Sequence, residues 1–219
     1  MQRLDDKSRM SGDVHVRFCE RLEGRFLRAT RLVACFQYPD DARRFMEQLS
    51  ERLERFGLKL AMEKTRSLEF GRFARGDAYR RGEKPQEFTF LGFTHYCGKT
   101  KNGHFKVKRR TSCKKFGCSL RNLSDWACRA RHKLRKGEML KRAKARVQGH
   151  LNYYAITDNA QWCTTYVYRA TRIMHKWLNR KSQRKAYTWA QFNQALAEVG
   201  WPTARIRKYL DPFRRAEAY

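Results

Sequence analysis

Tyr38-Pro39-Asp40-Asp41 sets two carboxylates side by side behind a tyrosine. Paired aspartates on a tight turn serve two-metal phosphoryl transfer, because two cations about 3.5 to 4 Å apart over a reacting strand need clustered anionic oxygens to hold them. The surroundings argue for a different job. Pro39 disturbs a tight hairpin, and the residues from Ala42 onward have helical periodicity. Proline in a first turn and acids at the positive end of a helix dipole are helix-start chemistry, so Asp40 and Asp41 read as the opening of a helix and as a decoy for a catalytic pair. A second set of potential ligands is Cys113 and Cys118 with Cys97 and His95. The seven cysteines are odd in number, irregularly spaced and without a Cys-x-x-Cys pair, which points to reduced thiols and no metal site.

Cations are the more abundant chemistry. Fifty Lys and Arg against 21 Asp and Glu give a formal charge of +29 on 219 residues. Residues 1–71 hold 15 basic and 12 acidic side chains, whereas residues 72–219 hold 35 and 9, so two regions with different electrostatic roles are expected. Such a surface repels itself unless a polyanion neutralises it, and release of counterions from phosphates supplies that term. Three clusters stand out. Lys106, Lys108, Arg109, Arg110, Lys114 and Lys115 form the first; Arg129, Arg131, Lys133, Arg135, Lys136, Lys141, Arg142, Lys144 and Arg146 the second; Arg180, Lys181, Arg184 and Lys185 the third. These suit phosphate contacts, and His150, Asn152 and Tyr153 suit finer contacts to a nucleic acid, with Tyr154 facing inward.

The elements that must position these residues fall in two parts, an α+β fold. Residues 1–27 have no strong periodicity and read as an irregular lead-in. Leu32 to Tyr38 suits a strand, and Ala42, Phe45, Met46, Leu49, Leu53 and Phe56 share a helical face that Gly57 closes. Leu58, Leu60 and Met62 alternate as a strand does, and Ser67 to Phe70 extend to Gly71. Residues 71–87 read as a mobile loop. Phe88 to Tyr96 and Phe105 to Lys108 form a hairpin around Gly98 and Gly103. Beyond Thr111 the pattern is helical. The inward positions are Phe116, Leu120, Leu123 and Ala127; then Leu140, Ala143, Val147, Leu151 and Tyr154; then Trp162, Tyr166, Ala170, Ile173 and Trp177. Thr188 and Gln191 spell a capping box before Phe192, Leu196 and Val199, with Gly200 and Pro202 closing. Aromatic and aliphatic residues at helical spacing among the charges argue for a folded basic domain and against a solvated tail. No apolar run approaches the roughly 18 residues of a membrane span, and the N-terminus lacks a secretory stretch, so a cytoplasmic protein with no membrane partner is expected.

Several strings taken together resemble bacterial group II intron reverse transcriptase/maturases. They are Phe36-Gln37, the helix from Asp41 to Phe56, Leu58 to Thr65 with Glu63-Lys64-Thr65, Phe90-Leu91-Gly92-Phe93-Thr94-His95-Tyr96, Gly149-His150-Leu151-Asn152-Tyr153-Tyr154, and Trp177 to Lys185. The resemblance runs in order over residues 28–200. It implies that residues 28–110 are the C-terminal part of a palm, a small antiparallel sheet with one helix, with Phe90, Leu91, Gly92 and Phe93 in a primer-grip hairpin. It implies an all-α thumb or maturase X domain, which binds intron RNA, over residues 111–202. The fingers and the upstream palm with its metal-binding aspartate are not in the sequence, no Cys/His-rich nuclease module follows, and residues 203–219 diverge as a tail.

The register of the resemblance puts Arg28, Ala29, Thr30 and Arg31 in the slot of the catalytic Tyr-Ala-Asp-Asp turn. Neutral and cationic side chains cannot hold two metals. Lys64 matches a lysine near the departing pyrophosphate and is here an orphan. The expected function is that of a truncated, maturase-like protein that binds structured group II intron RNA, without polymerase activity of its own and with no cofactor. Alternatives stay open: half of a split RNA-directed DNA polymerase, using Mg2+ and an RNA–DNA hybrid once another chain supplies fingers and aspartates; a generic basic nucleic-acid-binding protein; or a decayed open reading frame.

Overall fold

Short strands occupy the first half of the chain and long helices the second. The computed structural model describes residues 14–19, 22–23, 32–62, 65–180 and 187–206. The chain is α+β, with a small three-stranded antiparallel sheet and six helices among the described residues. It divides into two units, one of residues 1–90 and 95–108, the other of residues 91–94 and 109–219.

In the first unit, strand β1 (Val14–Cys19) is central, flanked by β3 (Leu32–Phe36) and β5 (Arg66–Phe70), both antiparallel to it. In register, Val16 is paired with Cys35 on one side and Leu68 on the other. A second pairing joins β2 (Leu22–Glu23) to β4 (Lys59–Leu60). Residues 1–27 therefore contain strands, against the expectation of an irregular lead-in. Val14, Val16 and Phe18 alternate with His15 and Arg17, a legible strand signal, whereas the two-residue β2 carries none. Helix α1 (Pro39–Glu54) carries Pro39 in its first turn with Asp40 and Asp41, and packs on β3 through Phe36 and Phe45, whose rings are 5.0 Å apart. Its expected apolar face is only partly covered: Ala42 is buried, whereas Phe56, past the helix end, is 71% exposed.

The stretch expected as a mobile loop, residues 71–87, contains helix α2 (Ala74–Arg80). Ala74 and Ala78, four apart, are buried on its inner side, and small side chains gave little periodic signal. Arg81 then bridges Glu69 at 2.6 Å and Glu83 at 3.1 Å, which raises its pKa. Strands β6 (Phe88–Phe90), β7 (Phe93–Lys99) and β8 (Phe105–Thr111) follow in sheet order. The expected single strand from Phe88 to Tyr96 is broken by a turn at Leu91-Gly92, where both residues have positive φ, 47° and 83°. Two consecutive left-handed residues are what a two-residue hairpin turn requires, and the glycine supplies one of them without strain.

The second unit is a four-helix arrangement of α3 (Cys113–Lys133), α4 (Lys136–Tyr154), α5 (Ala160–Asn179) and α6 (Trp189–Val199). Phe116, Leu120, Leu123 and Ala127 are buried on α3, and Leu140, Ala143, Val147 and Leu151 on α4, as their spacing predicts. On α5 the buried line is Cys163, Tyr166, Ala170, Met174 and Leu178, so Trp162, Ile173 and Trp177 are half-buried at its flank. The rotation reflects the small residues: Ala170 and Cys163 let helices approach where tryptophans cannot. Thr188 and Gln191 make the full capping box of α6, Phe192 is completely buried, and Gly200 ends the helix at φ 67°. Burying each large apolar side chain contributes roughly 1.5 to 3 kcal/mol, so this core is what allows the surface to be so highly charged.

Candidate nucleic-acid interface

The strings around residues 91 and 153 meet within the helical unit. Tyr153 donates its hydroxyl to the Leu91 carbonyl at 2.7 Å across 62 residues, and its ring stacks on Phe93 at 5.6 Å. Tyr154 packs against Phe93 at 5.1 Å and lies so close to Gly92 that a Cβ there would stand 2.7 Å from the tyrosine oxygen. The Gly92 carbonyl accepts from the Ser112 N–H at 2.9 Å, and the Ser112 side chain caps the start of α3. Beneath them Asn159 is fully buried. Its carbonyl accepts from the Thr111 N–H at 2.9 Å, and its amide donates to Thr111 Oγ1 and the Tyr154 carbonyl, each at 2.8 Å. A buried amide this fully satisfied fixes the α4–α5 turn against the entry to α3. Leu91 and Tyr153 stay about half exposed beside it.

His150, expected at the RNA surface, is instead held inside the bundle. Its ring stacks on Tyr166 at 3.5 Å and lies 4.5 Å from Tyr154, with Nδ1 3.2 Å from Ser119 Oγ. Burial lowers its pKa to about 4, so it is neutral at physiological pH and offers phosphate no charge. Position 150 lies three residues after Val147 and four before Tyr154, and that spacing was the signal for an inward ring. Burial also raises Cys163 to about 11, a thiol that stays protonated beside Asn159.

Outward, α4 presents Lys141, Arg142, Arg146, Asn152 and Tyr153. Arg142 bridges Glu138 at 2.6 Å, Arg146 lies over Trp126 at 4.6 Å, and Asn152 accepts from Gln148 at 2.9 Å. Lys144 is turned away from that face. Its amine donates to the Val199 carbonyl at 2.9 Å, a cation on the C-terminus of α6. Lys114 and Lys115 are exposed in the first turn of α3, Arg135 is the N-cap of α4 and Lys136 its first residue. Cations there oppose the helix dipole by about 0.3 to 1 kcal/mol each, so nothing in folding asks for them. Lys106, Lys108, Arg109 and Arg110 are half-buried along β8, and the Lys108 stem lies across Gly98, where a Cβ would meet its Cδ at 2.8 Å. Exposed Arg129 and Lys133 flank Arg131 on α3. Arg180 is exposed, while Lys181, Arg184 and Lys185 fall outside the described residues.

Three cations that the sequence clusters omit, Arg169, Arg172 and Lys176, are exposed along α5 and lead to Arg180 at its C-cap, at steps of three, four and four residues, and that spacing was the legible signal. Over residues 109–206 there are 22 Lys and Arg and 4 Asp and Glu, so carboxylates cannot neutralise this surface.

Among the described residues no pair of carboxylates is set as a two-metal centre. Arg28, Ala29, Thr30, Arg31 and Lys64 lie outside the described residues; β3 begins directly after Arg31. Asp40 and Asp41 are exposed in the first turn of α1, with Asp40 paired to Arg43, and they do not fit a two-metal site. Among the described residues no three His, Cys, Asp or Glu side chains gather as metal ligands, and no helix is long and apolar enough to cross a membrane. Cys113 and Cys118 are exposed on α3 and Cys97 is buried. No family model matches the chain, and no curated protein matches it.

Proposed function

We propose that this chain is a maturase-like RNA-binding protein, built on a partial reverse-transcriptase palm and a thumb-type helical domain, that binds structured group II intron RNA and has no polymerase activity by itself. The observation that carries the reading is the charge of the helical unit: 22 cations against 4 carboxylates over residues 109–206, some of them at helix N-termini where the dipole disfavours them. A folded core below and uncompensated positive charge above is the arrangement that a polyphosphate backbone offsets. The resemblance narrows the polyanion to intron RNA, and the meeting of Leu91-Gly92-Phe93 with Tyr153-Tyr154 supports it, since two of the strings that carry the resemblance form one joint. The cationic slot at Arg28 to Arg31 supports the absence of polymerase chemistry.

The test is competition binding at about 0.15 M salt, with a group II intron RNA against an unrelated duplex of equal length. A preference for the intron of about tenfold or more is expected, and equal affinity overturns the intron assignment. Primer extension by the purified chain with Mg2+ should yield no product; incorporation abolished by Asp40→Asn and Asp41→Asn would overturn the non-catalytic reading.

A further inference from the structure

Trp177 is ringed by cations from two helices. The guanidinium of Arg131, in the last turn of α3, is 4.9 Å from the ring centroid, the Lys176 amine 5.2 Å and the Arg180 guanidinium 5.8 Å. The indole is anchored by donation of its N–H to Ser124 Oγ at 3.0 Å. Arg131 is oriented in turn, donating through Nη1 to the Arg180 carbonyl at 3.2 Å and through Nε to His132 at 2.9 Å. Among the described residues none of the three cations makes an ion pair, and neither the Lys176 amine nor the Arg180 guanidinium makes a hydrogen bond.

Three positive charges within reach of one ring repel one another. The C-termini of α3 and α5 and the electron-rich indole offset part of that repulsion, and among the described residues no carboxylate pairs with these cations to offset the rest. The ring is engaged by its own cations, so it is not free as a stacking platform for a base. What the cluster offers is fixed charge and unused N–H donors, which suit the oxygens of a single phosphate. Beside Arg180, Asn179 accepts from the Tyr187 N–H at 2.8 Å and donates to the Tyr187 carbonyl at 3.1 Å, which fixes the end of α5.

We propose that Arg131, Lys176 and Arg180, positioned by Trp177, form a seat for one phosphate, and that in the RNA complex it takes a backbone phosphodiester. This assignment rests on the RNA-binding reading. The experiment measures binding of the full chain to an RNA duplex across a salt series, for the wild type, Arg131→Gln/Lys176→Gln, and Lys176→Gln alone in case the double variant unfolds. Loss of one phosphate contact should weaken binding about tenfold and make the slope of log K against log salt shallower by about one. In parallel, inorganic phosphate is titrated while indole fluorescence is followed in the wild type and in Trp177→Phe. A signal present in the wild type and absent from Trp177→Phe is expected.

RNA binding with an unchanged salt slope in both Gln variants overturns the seat and leaves the RNA reading standing. Failure of the wild type to bind any RNA, with the Trp177 response to phosphate intact, overturns the RNA reading and supports the seat as one for free phosphate. Displacement of phosphate by poly-glutamate at equal charge overturns the phosphate assignment in favour of an acidic peptide.

Discussion

Acid should unfold this protein through His150 in a way that one substitution removes. The imidazole is enclosed by Tyr166, Tyr154 and Ser119, and its pKa is lowered to about 4 from an ordinary value of about 6.5. At pH 7 the ring is neutral whether the chain is folded or not. As the pH falls below about 6.5, the unfolded chain takes up a proton that the folded chain refuses until about 4, so stability is present above that window and lost downward through it. A gap of about two and a half units at about 1.4 kcal/mol each gives a total loss of about 3.5 kcal/mol, of which about 2.5 kcal/mol is reached by about pH 4.5. His150→Gln keeps a hydrogen-bonding group for Ser119 and removes the titration. Urea unfolding followed by far-UV circular dichroism at pH 7 and at about pH 4.5 gives four stabilities. At pH 7 the variant should be less stable by about 1 kcal/mol for the lost stacking on Tyr166. Between the two pH values the wild type should lose about 2 to 3 kcal/mol more than the variant, while the self-repulsion of a +29 chain and every other titration cancel in the comparison. Equal losses in the two proteins would show that the ring is not desolvated as described.

Three further outcomes bear on the joint and the caps. Asn159→Ala strands the buried Thr111 N–H and Oγ1 and should cost about 3 kcal/mol by urea unfolding; a loss within about 0.5 kcal/mol would show that Asn159 does not fix the α4–α5 turn. Gly92→Ala meets both a positive φ and the Tyr154 oxygen, and should destabilise by about 1 to 2 kcal/mol, with Tyr154→Phe in the same chain restoring part of it; no restoration refutes the close approach. Thr188→Ala removes half of the capping box of α6 and should cost about 1 kcal/mol in thermal or urea melts, and a neutral result would show that the Thr188 hydroxyl does not stabilise the helix start.

Helices were legible where their signals are local. Thr188 and Gln191 announce α6, Pro39-Asp40-Asp41 announces α1, and the inward lines of α3 and α4 follow the repeat of three and four residues. Strands were less so: the alternation of Val14, Val16 and Phe18 with His15 and Arg17 is confined to one short run, β2 is two residues long, and the short helix α2 hides behind alanines and arginines. His150 was assigned outward because its side chain is polar, although its spacing from Val147 and Tyr154 already pointed inward.

Composition and short-range order are properties of the sequence alone, and they determined the positive charge, its concentration after residue 72, the helical register and the caps. Those quantities depend on interactions within a turn or two of chain. Tertiary structure decided the rest: that Tyr153 reaches Leu91 across 62 residues, that Asn159 closes on Thr111, that His150 loses its proton, and that Arg131 joins Lys176 and Arg180 at one indole. Each of these requires distant side chains to share one desolvated volume, and the packing of the whole unit, not the identity of any neighbour in sequence, chooses which side chains those are.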